Sequence, residues 1–297
     1  MKILISGATG FIGSALMKEL NLEGNEIYAV IIEQTPQDDR NVHYIRYDGT
    51  YNSIADQISP FRPDVIMHLA THFCVRHTIS DLDPLVNANI RLGLHLLELS
   101  MVLKTGYFIN VATYAQRMGG FEYDPQNLYA ATKQAFESLL TFYIKANENT
   151  KYVTLELFDT YGPGDPRKKF INLAVDACLK DDLFQMSPGE QEIIYLYIDD
   201  VVRGFIRCLN LLGSGSINTG DKYCFFTDEI LTLNELVKKI GEVHGREMNV
   251  QAGYYPYRQR EIMKLKQKFP VLPGWKPSVS LMQGIVKMIN EKLKNDD

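Results

Sequence analysis

The chain has 297 residues, 45% of them apolar and 23% charged, and 36 Asp and Glu against 31 Lys and Arg leave a net charge of −5. This length buries a sizeable core, as one large α/β unit or two modest domains, and the absence of a long basic run excludes the electrostatic footprint of a nucleic-acid binder. No apolar stretch approaches the roughly 20 residues of a membrane span and no signal-peptide layout precedes the first strand, so a cytoplasmic protein is expected.

Lys2 to Gly13 reads KILISGATGFIG: a short apolar strand runs into Gly7, Gly10 and Gly13, spaced three apart at the start of a helical pattern. Gly7 permits a sharp turn off the strand, Gly10 removes the side chain where a pyrophosphate would approach, and Gly13 lets the helix pack closely on the sheet. The helix from about Phe11 to Leu20 then aims its N-terminal amides and the positive end of its dipole at that phosphate. Thr9, Phe11 and Ile12 are the other candidate contacts in this turn. A strand before and a helix after convert a bare glycine triplet into a prediction of dinucleotide binding.

Glu26 to Ile32 reads as the second parallel strand. Glu33 follows about 20 residues beyond Gly13, where an acid hydrogen-bonds adenosine ribose hydroxyls and repels a 2′-phosphate. That position predicts NAD in preference to NADP, with Arg40 near enough in sequence to reverse the choice. Val42 to Tyr47 is a third strand, followed by Asp48 and Gly49, where a carboxylate either accepts from the adenine amino group or forms a turn. Asp64 to Ala70 is a nearly all-apolar fourth strand of the kind buried on both faces, with Leu69, Ala70 and Thr71 at its carboxyl end beside the cofactor.

Pro84 to Val102 is helical, with Leu92, Leu96 and Leu99 on one face. Asn89 inside it is mildly unfavourable and implies a specific hydrogen bond. Tyr107 to Val111 is a fifth strand that exits at Ala112 and Thr113. The next helix, Leu128 to Ala146, carries Tyr129 and Lys133 at i and i+4 on one face. Val153 to Phe158 is a sixth strand, ended by the turn sequence from Tyr161 to Asp165. A helix near Ile171 to Leu179, a strand near Ile193 to Ile198 and a helix capped by Asp199 and Asp200 follow. Thr232 to Glu235 has the form of a capping box and opens a helix that ends near His244 and Gly245. Pro273 to Pro277 is a turn, and Ser280 starts the last helix.

The four cysteines, Cys74, Cys178, Cys208 and Cys224, show neither zinc spacing nor a disulfide framework, so buried reduced thiols and no metal are expected. No repeat or flexible linker divides the chain. The expectation is a doubly wound α/β protein in which residues 1–165 bind the dinucleotide, part of 190–225 returns to them, and 166–297 form mainly the substrate region on the carboxyl edge of the sheet.

Beside a nicotinamide, Thr113, Tyr129 and Lys133 make a proton-transfer set. The neighbouring ammonium and the positive ring are expected to lower the tyrosine pKa, so that the phenol exchanges a proton with a substrate oxygen near neutral pH. The threonine hydroxyl would orient that oxygen. Without the glycine turn, the same pair would be an aromatic residue and a charge on a helix.

The opening GATGFIG, the YAATK of Tyr129 to Lys133 and the YGPG of Tyr161 to Gly164 resemble the extended short-chain dehydrogenases/reductases, the epimerase/dehydratase class acting on nucleotide sugars, over essentially the whole chain. More narrowly, HLAT at His68 to Thr71, YGPGD with the later Lys169 and Phe170, GEQ at Gly189 to Gln191 and REIM at Arg260 to Met263 resemble the CDP-abequose and CDP-paratose synthases, which reduce a nucleotide-linked 4-keto-6-deoxyhexose. The resemblance implies a Rossmann-type fold, an NAD(P) cofactor and a nucleotide-sugar substrate. It implies Thr113, Tyr129 and Lys133 as the catalytic set, with Thr113 also touching substrate, Tyr129 and Lys133 also touching cofactor, and Asn89 as a structural asparagine. It places Lys169 and Phe170 along the substrate nucleotide, Asp159 where an asparagine often stands near the sugar, and Arg258 on the pyrophosphate, which suits guanidinium geometry. It also implies a homodimer through the helices at 84–102 and 128–146, whose Leu92, Leu94, Leu96, Leu97, Phe136, Leu139, Leu140 and Phe142 exceed what one sheet face covers.

Three positions depart from that pattern. After Gly189-Glu190-Gln191 an Arg-Asp-aromatic sequence is usual, whereas Ile193, Ile194 and Tyr195 occur here. Glu156 replaces a frequent arginine, and the second strand ends Ile31-Ile32-Glu33 without the arginine that marks NADP use. Three readings therefore stand: a 4-keto-6-deoxyhexose reductase acting on a CDP- or dTDP-linked sugar, an epimerase that keeps NAD bound, and a cofactor-sensing regulator.

Overall fold

The computed structural model describes residues 1–32, 41–118, 120 and 122–295. The strands are β1 (Lys2–Ser6), β2 (Glu26–Ile31), β3 (Val42–Arg46), β4 (Val65–His68), β5 (Tyr107–Thr113), β6 (Lys151–Leu157), β7 (Asp159–Tyr161), β8 (Phe184–Gln185), β9 (Glu192–Ile193), β10 (Tyr195–Tyr197), β11 (Lys222–Cys224), β12 (Leu231–Thr232) and β13 (Val250–Gln251). The helices are α1 (Phe11–Leu22), α2 (Tyr51–Ile58), α3 (Leu82–Val86), α4 (Leu92–Leu103), α5 (Leu128–Ala146), α6 (Phe170–Lys180), α7 (Ile198–Gly213), α8 (Leu233–His244) and α9 (Leu281–Asn295).

Strands β1 to β6 and β11 form a seven-stranded sheet in the order β11-β6-β5-β4-β1-β2-β3, and every pairing in it is parallel. This is the doubly wound α/β fold expected from the alternation of elements. Ile3, Leu4 and Ile5 of β1 and Val65, Ile66 and Met67 of β4 are all fully buried, because helices cover both faces of the sheet. On one face Ile3 and Ile5 pack with Leu16 and Leu20 of α1 and Val201 and Phe205 of α7. On the other, Leu4 packs with Ile54 of α2, Leu96 of α4 and Phe136 of α5. With β1 between β2 and β4, the chain order reverses at its carboxyl end, which is where such sheets leave a crevice for ligands.

Several elements differ from expectation. Helix α2 was not foreseen: it is short, its apolar face rests on Ile54 and Ile58, and its start is fixed by Thr50, whose side chain accepts from the Ser53 amide. The helix expected over 84–102 spans α3 and α4, joined by a π-helical turn at Asn87–Arg91. The strand expected near 193–198 is two short strands, β9 and β10. Asp199 and Asp200 lie inside the first turn of α7 rather than at its cap. Buried Asp200 instead accepts from the Ser278 and Val279 amides at 2.7 and 3.1 Å, fastening the C-terminal segment to α7. Thr232 and Glu235 do form a reciprocal capping box at α8. Cys178, Cys208 and Cys224 are buried, Cys74 is half-buried, and all four are unpaired. Among the described residues no helix is long and apolar enough to cross a membrane.

Candidate active site

The glycine turn is built by close backbone approach. Gly7 leaves β1 at φ +74°, and a Cβ there would stand 2.6 Å from the Ala70 amide nitrogen at the end of β4. A Cβ on Gly13 would lie 2.0 Å from the Gly7 carbonyl oxygen, so the first turn of α1 rests directly on the preceding turn. Gly10 differs: a Cβ there would meet only the Gly7 oxygen, at 3.2 Å, which leaves its outer side open. The first-turn amides of α1 have no acceptor within the helix, and no acidic residue stands in that turn. This combination fits the pyrophosphate of a dinucleotide, which needs free N–H groups, an open backbone and no competing carboxylate.

The turn opens into a cavity of about 950 Å³. Gly7, Thr9, Gly10, Phe11, Ile12 and Gly13 line one end, with Leu69, Ala70 and Thr71 beside them. Thr113, Tyr129, Asp159, Lys169, Phe170 and Arg258 line the rest. Two other expected cofactor residues are placed differently. Asp48 and Gly49 lie outside the lining; the Asp48 carboxylate accepts from the Thr50 amide and hydroxyl at 2.9 and 2.7 Å and so serves the turn before α2. Glu33 falls outside the described residues, as does Arg40.

Helix α5 sets Tyr129 and Lys133. Asn127 caps it by accepting from the Ala130 amide at 2.9 Å, and its buried stripe runs through Ala130, Lys133, Phe136, Glu137 and Leu140. Lys133 is therefore buried on the sheet-facing side, behind the cavity wall, while Tyr129 borders the cavity. Burial pushes Tyr129 up to about 12; the Thr71 and Thr113 hydroxyls and Arg167 favour the phenolate, and Asp159 opposes it. Burial also brings the Lys133 amine down to about 8, with Glu137 resisting.

Asn89 explains its own place inside a helix. From the π-helical turn its side-chain oxygen accepts from the Thr71 hydroxyl and the His72 amide, both at 2.8 Å, and its amide donates to the Thr132 hydroxyl at 2.8 Å. One fully buried side chain thus ties the exit of β4 to α5. Beneath it, the Ser6 hydroxyl pairs with His68 Nδ1 at 2.8 Å, and burial, then Lys133, hold His68 well below its ordinary pKa, so it is neutral.

The far end of the cavity is held by ion pairs. Asp159 accepts from Tyr114 at 3.0 Å and from Lys169 at 2.6 Å. Burial pushes this carboxyl up, but the Lys169 ammonium and these two bonds outweigh it and hold Asp159 below its ordinary value. Lys169, expected along the nucleotide, is thereby paired with the carboxylate expected near the sugar. Arg167 makes two bonds to Asp165, at 2.7 and 2.8 Å, donates to the Thr160 carbonyl at 3.0 Å, and lays its guanidinium 4.6 Å from the centre of the Phe11 ring. Arg258 is half-exposed and 3.7 Å from Glu261. Arg167, Tyr114 and Phe73, whose ring meets Tyr129 edge-on at 5.0 Å, were missed from sequence; only the Asp165-x-Arg167 spacing offered a signal.

A metal was not expected, yet ligating atoms of His72, Cys74 and Asp81 lie within 4.8 Å of one another on the loop after β4. Asp81 is already engaged by His72 at 2.9 Å and by the Thr78 amide at 2.7 Å, and burial, then the Asp81 charge, push the Cys74 thiol up, which disfavours the thiolate a metal would need.

The sequence profile of the NAD dependent epimerase/dehydratase family matches residues 3–220. The CDP-abequose synthase of Yersinia pseudotuberculosis is 26% identical over 270 residues, 91% of this chain and 93% of that protein. The UDP-glucuronate 4-epimerase of Thermodesulfobacterium geofontis is 26% identical over 317 residues, 98% of this chain and 96% of that protein. Among solved structures, the UDP-glucose 4-epimerase of Thermus thermophilus in complex with NAD has a TM-score of 0.80 and 24% identity, covering 98% of each chain.

Proposed function

This chain belongs to the NAD dependent epimerase/dehydratase family, and we propose that within it the protein is a reductase acting at C4 of a 4-keto-6-deoxyhexose carried on CDP or dTDP. It is an NAD(P)-dependent enzyme acting in nucleotide-sugar metabolism, so the third reading, a cofactor-sensing regulator, is set aside. What supports this reading is the similarity to CDP-abequose synthases, 26% identical over 91% and 97% of this chain, together with Thr113 and Tyr129 on one cavity wall, where the protonated phenol can act as a proton donor. When bound, NAD(P) supplies the hydride that reaches the carbonyl carbon.

Tyr129 gives its proton to the developing alkoxide, and Thr113 orients the same oxygen by a hydrogen bond. Lys133, near 8, can return a proton to this region close to neutral pH. Phe11, Ile12 and Gly13 offer amides to the cofactor pyrophosphate, while Asp159, with Lys169 and Tyr114, faces the sugar. Phe170 and Arg258 are the candidate contacts to the nucleotide. The preference for NAD over NADP rests on Glu33 and is checked by titrating both cofactors.

The test is an assay of NADH and NADPH oxidation with a panel of CDP- and dTDP-linked 4-keto-6-deoxyhexoses. Turnover is expected only with the keto sugar, and Tyr129→Phe is expected to lower it by about 10²–10⁴ with cofactor binding unchanged. The similarity to a UDP-glucuronate 4-epimerase favours a second reading, an epimerase. Inversion of a nucleotide sugar without net redox, by protein purified with cofactor bound, would replace the first reading with the second.

A homodimer is part of the same proposal. Leu92, Leu96, Leu97, Phe136 and Leu140 are used in the core, so the surplus expected on the two long helices is smaller than the sequence implied. Among the described residues of these helices, Val86 on α3, Met101 and Val102 at the end of α4 and Phe142 on α5 stay exposed, at 44%, 39%, 59% and 63%. Light scattering should give twice the 33.9 kDa chain mass, and Phe142→Glu should shift it toward monomer.

A further inference from the structure

One helical turn beyond Lys133, between α5 and the sheet, lies a buried group of charges that the proposed reaction does not use. At its centre is Glu156 on β6, fully buried and opposite Ala112 of β5, one residue before Thr113. Among the described residues neither of its carboxylate oxygens has a hydrogen-bond partner. The groups that face it are Arg117 from the turn after β5, Glu137 from α5, Lys222 and Cys224 from β11, and Lys268 from the C-terminal segment. Arg117 lies between the two carboxylates, 3.9 Å from Glu137 and 3.8 Å from Glu156, with the Phe269 ring 5.2 Å from its guanidinium. Lys222 bonds Glu137, and Lys268 donates to the Tyr114 and Arg117 carbonyls.

These groups converge on one short segment. The Thr113 amide donates to the Gln116 side chain at 3.0 Å, and Gln116 in turn donates to Glu137 at 2.9 Å. The turn 113–117 is therefore moored to α5 by Gln116 and Arg117, one helical turn beyond Lys133. A buried, unbonded carboxylate is costly unless paired, and a group in that state calls for an explanation. Among the described residues, the cation within ion-pair distance of it is Arg117.

We propose that Glu156 is a positioning residue: with Glu137 it holds Arg117 from two sides, and through Arg117 it fixes the turn that carries Thr113 against α5. The proposal rests on the reading that Thr113 and Tyr129 act together on one substrate oxygen. Protonation of Glu156 removes one of the two anchors. Burial pushes Glu156 up to about 7, against the pull of Lys268 and Arg117, so the change falls in a range where the protein can be studied.

The test is hydrogen exchange at the amides of residues 114–118 in the full chain without ligand, corrected for the intrinsic effect of pH. In the unmodified protein, protection there should rise several-fold from pH 6 to pH 8 as Glu156 ionises. In Glu156→Gln it should stay at the low-pH level throughout. A role in stability alone would move exchange the other way, because the buried charge weakens the fold as pH rises. With a nucleotide sugar that the protein turns over, Glu156→Gln should lower kcat at pH 8 by about tenfold, as misplacement of a reacting group does, and leave KM within about twofold. A Gln variant whose protection at pH 8 matches that of the unmodified protein overturns the proposal. If exchange behaves as expected but no keto sugar is reduced, the proposed reaction fails while the positioning role stands.

Discussion

The two ends of the cavity are held by different forces. At the cofactor end, backbone meets backbone: Gly13 and Gly7 stand where a Cβ would come within 2.0 and 2.6 Å of main-chain atoms, and main-chain atoms cannot step aside. At the far end the wall is made of side chains that balance one another, Asp159 with Lys169 and Arg167 with Asp165, and the buried charges between α5 and the sheet extend the same style. A wall of packed backbone has one solution. A wall of ion pairs has several, because a cation can be supplied from another position, as Arg117, Lys222 and Lys268 do around Glu156. The lesson is that the first end tolerates almost no substitution, and the second can be retuned.

The largest effect should come from breaking the backbone end. Gly13→Ala pushes a methyl into the Gly7 carbonyl and should cost about 3 kcal/mol of stability, the upper part of the overpacking range, with loss of NADH binding by fluorescence titration. Next is Glu156. Its carboxyl is raised from its ordinary range to about 7, so the folded protein holds a proton that the unfolded chain has already released. Stability therefore falls as pH rises through that window, and the full cost of the charge is present above it. Glu156→Gln should leave urea unfolding at the acid end of the window nearly unchanged and stabilise the protein at pH 8 by about 2 kcal/mol.

Lys169→Gln removes a single partner from Asp159 while Tyr114 continues to donate. The expected outcome is a KM for nucleotide sugar raised by roughly tenfold, equivalent to about 1.4 kcal/mol, with NADH affinity untouched. An equal loss for both ligands would erase the contrast between the ends. The smallest effect sharpens the glycine argument: Gly24 also has positive φ, at +79°, but nothing lies within 4 Å of its would-be Cβ. Gly24→Ala should cost only about 1 kcal/mol of backbone strain and spare cofactor binding.

Sequence reading worked where the cause is local. The glycine turn, the i and i+4 placement of Tyr129 and Lys133, the capping box at Thr232 and the buried β4 each depend on a few neighbouring residues, and the doubly wound order follows from their alternation. Asn89 could be flagged because a helix interior disfavours it, although its partners, Thr71, His72 and Thr132, are known only from the fold. The reading weakened where separate loops meet. Arg167 reaches Phe11 across the cavity, Tyr114 reaches Asp159, and Lys268 reaches the turn after β5, none at a spacing that a pattern reveals. Helix spacing likewise puts Lys133 one turn from Tyr129, but it does not reveal that burial acts strongly on both groups.

The position of β1 in the middle of the sheet also bears on how the molecule reaches its native state. One edge of β1 is covered by β2, close in sequence, while the other waits for β4, which places Val65 opposite Ile3. Parallel pairing over about sixty residues is slow, because chain entropy is lost before contacts reward it. Until β4 docks, Ile3, Leu4 and Ile5 form an open apolar edge on which another chain can add. Refolding yield should therefore fall as protein concentration rises. Recovery of cofactor binding, which needs Ala70 at the end of β4 against Gly7, should lag behind recovery of the helical circular dichroism signal.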